Sequence, residues 1–350
     1  MSEKSFLRFI SYLQIIGIIL VVFGHSFHEY PDGSEGKSLL LYQMPYSFRM
    51  PLFIFVSGFL LYYTTLYKNR NVGIKKFFSQ KFKRLLIPYL VLGIVTFIPR
   101  VYMSDMADDR VELSLHSFLY SLIDSNHLVI PFFWFIQVSF VLLTVSYTIM
   151  QTAVRLRIRQ EWIVISLLVI SLLLPYLPFD YSSMWAAYQF PRLSVYFFLG
   201  IAYCMWHKTI DRLISWTSFL TLFISAGIWV FIFFLPSGII QEWGCGAAGI
   251  MMCLSLAKIL ENKHLHFLDH LTGANYLIFL LSWYCNVATQ QVLHHFTAWP
   301  WWTYTLMSLT AGIYIPWLFY KFMQRHRDHK TVKFLSFLLG QRSHGSFIYT

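Results

Sequence analysis

Breaks in hydrophobicity divide this chain into about ten apolar segments, many of them long enough to cross a bilayer. They run near residues 9–27, 45–66, 85–103, 130–151, 161–177, 193–206, 214–235, 244–260, 274–293 and 302–323. A hydrocarbon core asks for roughly 17–25 apolar residues per helical crossing. Composition agrees: 57% of the 350 residues are hydrophobic and 12% charged, whereas soluble globular chains carry about 25% charged residues. Lipid offers backbone amides no partner, so a crossing must be a helix or part of a closed barrel. The alternating polarity of barrel strands is absent. The expectation is therefore an all-α, polytopic membrane protein, one transmembrane domain over 1–350 with a short basic tail from about 324.

Charge sets an orientation. Lys4 and Arg8 precede the first segment, while the loop after it carries Glu29, Asp32 and Glu35 against Lys37. The second loop holds Lys68, Arg70, Lys75, Lys76, Lys81, Lys83 and Arg84; the third turns acidic with Asp105, Asp108, Asp109, Glu112 and Asp124. Basic residues return at Arg155, Arg157 and Arg159, at Lys208 and Arg212, at Lys258 and Lys263, and in the tail. By the positive-inside rule both termini are expected in the cytoplasm, consistent with an even number of spans. The net charge of +11 then reflects topology and anionic lipid, and no nucleic-acid partner is implied. The first segment lacks a small-residue cleavage site, so it is expected to stay as a span. Cys204, Cys245, Cys253 and Cys285 form no C-x-x-C pair, which points to neither a zinc site nor a disulfide framework.

Few polar residues in or beside these segments suit chemistry. His25 falls at the outer end of the first, with His28 and Glu29 three and four residues on. A carboxylate on one imidazole nitrogen raises basicity at the other, as a general base requires; a histidine solvated by headgroups is the plainer alternative. Gln14 lies eleven residues earlier, about 16 Å deeper, as interhelical glue or a polar site residue. Arg49 precedes Met50-Pro51 at the expected outer start of the second segment. It can pair with Glu29 or Glu35 or hold an anionic or hydroxylated substrate, and Pro51 suits a first helical turn. Lys81 and Arg84 lead into Pro88 at the cytoplasmic surface, able to clamp phosphates or simply to obey the positive-inside rule. Arg192 is one of very few cations expected on the outer face. No Gly-rich phosphate loop, G-x-S-x-G elbow or H-E-x-x-H is present, and no metal site is implied.

Three elements together resemble the membrane-bound acyltransferase-3 family. Gly17 to Ser26 is similar to the family's opening span that ends in histidine. Met50 to Phe59, Met-Pro-Leu-Phe followed by Ser-Gly-Phe, is similar to its second signature. Lys81 to Tyr89 is similar to its R-x-x-R element before Pro-Tyr. The resemblance implies ten helices and transfer of an acyl group, often acetyl, from cytoplasmic acyl-CoA to a hydroxyl of an extracytoplasmic glycan or lipid-linked sugar. On that basis His25 is the base or acyl relay, Glu29 orients it, Lys81 and Arg84 hold the coenzyme A phosphates, and Arg49, Arg192 and Gln14 serve the acceptor. The implied location is a bacterial inner membrane. Three departures stand out: Gln14 replaces a family arginine, Lys81 replaces the first arginine of R-x-x-R, and Ser282-Trp283 stands where many relatives have a histidine. A glycan exporter or flippase using the same fold is the rival function, and a structural membrane partner a third.

Overall fold

The structure is a computed structural model describing residues 3–27, 40–68, 72–102, 113–178, 181–216, 218–261, 263, 265–296 and 299–341. Apart from one antiparallel bridge between Asp124 and Met184, its regular structure among the described residues is helical. In chain order the helices begin with α1 (Glu3–His25), α2 (Leu40–Tyr62), α3 (Ile74–Lys81), α4 (Ile87–Tyr102) and α5 (Leu115–Ile123). Then come α6 (Trp134–Arg155), α7 (Gln160–Leu173), α8 (Phe190–Trp216), α9 (Ser218–Phe233) and α10 (Ile239–Glu261). The last four are α11 (His266–Leu271), α12 (Asn275–Phe296), α13 (Trp301–Arg325) and α14 (Lys330–Leu338). Each apolar segment expected from sequence is helical. Among the described residues, five stretches are long and apolar enough to cross a membrane: Arg8–His25, Leu40–Tyr67, Ile74–Tyr102, Pro131–Arg155 and Ile239–Glu261.

Some local expectations are corrected. Helix α2 begins at Leu40 and carries Pro45 and Pro51 inside it, so Pro51 is not a first-turn proline. A membrane helix tolerates this because neighbouring side chains and local adjustments satisfy the backbone groups a proline frees. The basic stretch before Pro88 is not a loop. Helix α3 runs through a π-helical turn at Phe82–Leu86 directly into α4, because Lys and Gln favour helix and Phe77 offers an apolar anchor. Helix α8 continues past the expected end of the sixth segment, through a break at Trp206 (φ −105°, ψ 17°).

The chain forms two compact units, one of Met1–Val56 with Trp206–Arg327, the other of Ser57–Met205 with Asp328–Thr350. In the first, α1 packs against α10, α11, α12 and α13, while α9 pairs with α10 and α12 with α13. Phe9, Tyr12, Ile15, Ile18 and Val22 of α1 are all buried, the pattern of a helix enclosed on every side. Between helices in lipid, close packing and interhelical hydrogen bonds replace the hydrophobic drive. Tyr12 Oη of α1 donates to Asp269 Oδ1 of α11 at 2.9 Å; within α10, Lys258 Nζ pairs with Glu261 at 3.0 Å.

In the second unit α6 packs against α3 and α7, α4 against α5, and α14 against α4. Buried Gln137 donates to Tyr89 Oη at 3.0 Å and to the Leu122 carbonyl at 3.1 Å. Arg100 Nη1 donates to the Leu128 and Val129 carbonyls at 2.6 and 2.9 Å. These bonds tie α6 to α4 and α5, and α4 to the segment after α5.

Candidate functional site

His25 closes α1 and is half-buried. The backbone amide of Ser26 bonds to the Phe23 carbonyl at 3.0 Å, and the Ser26 hydroxyl donates to the Val22 carbonyl at 2.8 Å. The helix therefore ends on its own side chain, with His25 set between two residues whose polar groups are engaged. Glu29, expected to orient the imidazole, lies outside the described residues, as does His28. Gln14 is half-buried farther down the same helix.

Arg49 lies in the interior of α2, in the first unit with His25, and is 6% exposed. Its guanidinium stands 4.3 Å from the Tyr46 ring centre, with Tyr42 and Tyr46 as polar neighbours. Its Nη1 lies so close to Gly24 that a Cβ there would collide with it. Only glycine admits this approach, and Gly24 immediately precedes His25. Nε and Nη1 are buried and have no hydrogen-bond partner among the described residues. Two donors unmatched among the described residues, on a buried cation against the glycine before His25, suit an oxygen that carries or develops negative charge.

The basic pair belongs to the second unit. Lys81 ends α3, with Nζ 5.1 Å from the Phe77 ring centre, and Arg84 sits in the π turn. The wider turn rotates Arg84 away from the position an uninterrupted α-helix would give it relative to Lys81; such insertions recur at functional sites. Gly340 follows α14 at φ +63°, and a Cβ on it would collide with the Arg84 carbonyl oxygen. The tail thus packs against the basic element itself, which the sequence had suggested only as a basic extension. Arg192 is also in the second unit, exposed in the first turn of α8.

Sequence reasoning missed other residues. Gly24 was quoted only as part of a motif, although its position before His25 was a usable signal. Ser282, Asn286 and Gln290 repeat every four residues through α12 and are 1%, 0% and 2% exposed, a polar stripe on one helix face. Asp124, read as loop charge, is buried: it accepts from the Asn126 amide at 2.9 Å and lies 3.6 Å from His127 Nδ1. Burial pushes the Asp124 carboxyl up, but Tyr120, the Asn126 amide, Ser183 and His127 outweigh it and hold the group below its ordinary value. Among the described residues, no three or more His, Cys, Asp or Glu side chains are grouped to hold a metal ion.

The described residues thus give a helical chain with apolar spans, a histidine that closes α1 and a buried arginine against the glycine before it. The acyltransferase-3 family model, described as an acyltransferase domain, matches residues 7–321. The chain belongs to that family and is an acyltransferase. No curated protein matches it, and no solved structure does.

Proposed function

We propose that this protein is an O-acyltransferase, with acetyl the group transferred, of a bacterial inner membrane. It takes the acyl group from cytoplasmic acyl-CoA and delivers it to a hydroxyl of an extracytoplasmic glycan or lipid-linked sugar. About ten spans with both termini in the cytoplasm suit that task, and the charge alternation of the loops supports them. The observation that carries the reading is the buried Arg49 guanidinium, two of its donors unmatched among the described residues, held against the glycine before His25.

In the proposed reaction the His25 imidazole accepts the proton of the sugar hydroxyl as its oxygen attacks the thioester carbonyl. Charge gathers on the carbonyl oxygen, which the Arg49 donors stabilise. The carbon–sulfur bond then breaks, and the coenzyme A thiolate leaves with the proton from the imidazolium. Relay through an acyl-imidazole divides the same bond changes between two steps. Glu29 orients the imidazole, Lys81 and Arg84 bind the phosphates of coenzyme A, and Arg192 and Gln14 serve the acceptor. Gln14 donates and accepts hydrogen bonds but brings no charge, so fixed positive charge at the acceptor rests on Arg49 and Arg192.

The test is the alkali-labile O-acyl content of the surface glycan in a deletion strain, complemented with wild type or with His25→Ala at equal membrane levels. Wild type restores the ester and His25→Ala does not, a loss of about 10²–10⁴ in rate for a general base. Full acylation by His25→Ala refutes the assignment. Polymer trapped inside the deletion strain, with its acylation unchanged, makes the protein an exporter instead.

A further inference from the structure

Helix α1 ends at His25, and a helix end leaves its last carbonyls without intrahelical partners. Two amide side chains of α12 reach across to that end. Asn286 Nδ2 donates to the Val22 carbonyl at 3.2 Å and to Ser26 Oγ at 3.4 Å. Gln290 Nε2 donates to the Ser26 carbonyl at 2.8 Å and to Ser308 Oγ of α13 at 3.2 Å. The Ser308 hydroxyl in turn donates to the Asn286 carbonyl at 3.5 Å. Ser26, Asn286 and Ser308 are 0% exposed and Gln290 2%. A Cβ at Gly312 would collide with Asn286 Oδ1 and come within 2.7 Å of Val22 Cγ1, so the glycine leaves room for the amide to reach α1.

These bonds bracket His25. They grip the residue three before it and the residue after it, from helices distant in sequence. Ordinary packing of apolar side chains leaves a helix free to adjust its rotation slightly, whereas two amides bonded to named carbonyls do not. Ser26, Asn286 and Gln290 are buried, so rotation of the last turn would leave the Ser26 carbonyl without the Gln290 amide or water to replace it, while the Val22 carbonyl would keep only the Ser26 hydroxyl. We infer that Asn286 and Gln290, with Ser308 propping Gln290, are positioning residues that fix the direction of the His25 imidazole for acyl transfer. The inference rests on the proposed role of His25 and adds to it the residues that keep the imidazole in line.

Membrane vesicles from cells expressing the full chain, supplied with radiolabelled acetyl-CoA, test it through label incorporated into alkali-labile ester. Asn286→Ala and Gln290→Ala each lower the maximal rate about ten-fold, since a small misplacement of a reacting group is costly, while the apparent KM for acetyl-CoA stays within about two-fold. In a His25→Ala background the same substitutions lower the residual label no further, because residues that act through one group are not additive. Wild-type rates for both variants beside an inactive His25→Ala overturn the inference alone. So does an equal loss with and without His25, which marks a structural role. Wild-type label from His25→Ala overturns the parent reading as well. Should the alanine variants fail to accumulate, Ser308→Ala removes only the prop on Gln290; it lowers the maximal rate about two- to three-fold, and an unchanged rate overturns the inference.

Discussion

Replacing Arg49 by methionine separates stability from catalysis. The arginine is 6% exposed and leaves Nε and Nη1 without partners among the described residues. Each unsatisfied buried donor costs about 1–3 kcal/mol, so the pair costs about 2–6 kcal/mol. The approach to Tyr46 at 4.3 Å returns about 0.5–2 kcal/mol. Methionine fills similar space with a flexible apolar chain and no donors, and repacking of that kind costs under about 1.5 kcal/mol. The balance predicts that Arg49→Met lies between about 1.5 kcal/mol destabilising and about 4 kcal/mol stabilising, in the range seen when other buried charges are replaced by apolar residues of like volume. Catalysis moves the other way: losing an oxyanion donor lowers kcat by about 10²–10³. Thermal unfolding of the detergent-purified protein and ester formation in vesicles measure the two effects. A variant less stable by about 2 kcal/mol or more that keeps wild-type kcat would refute the reasoning, since the arginine would then be a structural brace.

Other substitutions have equally definite outcomes. Gly24→Ala drives a Cβ into Arg49 Nη1, displaces the guanidinium, and lowers vesicle activity toward the level of Arg49→Met with His25 intact; a wild-type rate sinks the link between the two residues. Gly340→Ala forces a β-carbon onto a residue at φ +63° and against the Arg84 carbonyl. It weakens tail docking by about 1–2 kcal/mol, seen as faster protease cleavage in the tail and a higher KM for acetyl-CoA. For Asp124, the folded carboxyl titrates below its ordinary 3.8, so its contribution to stability is complete above that value and is lost as pH falls through the folded pKa. Asp124→Asn therefore flattens the drop in thermal stability below about pH 4 and leaves the slope at neutral pH unchanged.

Much of the architecture was legible in the sequence because membranes punish error locally. A segment such as 130–151 must satisfy its own backbone hydrogen bonds, so length and apolarity predicted a helix there without knowledge of its neighbours. Lys81 and Arg84 were legible as a pair on one helix face, but not the π turn that holds Arg84, of which apolar periodicity carries no trace. Pro51 was misplaced for the same reason: the rule that puts proline in a first turn assumes no neighbour satisfies the freed carbonyl.

The sequence alone determined the helical class and the acyltransferase family, because each depends on residues close together along the chain. Tertiary structure alone decided that Arg49 is buried against Gly24, 25 residues away in sequence, and that Asn286 and Gln290 hold the end of α1 from the far end of the chain. Hydropathy records whether a residue suits lipid. Which buried donor meets which carbonyl is settled by helix packing, where one missing Cβ decides how closely two chains approach.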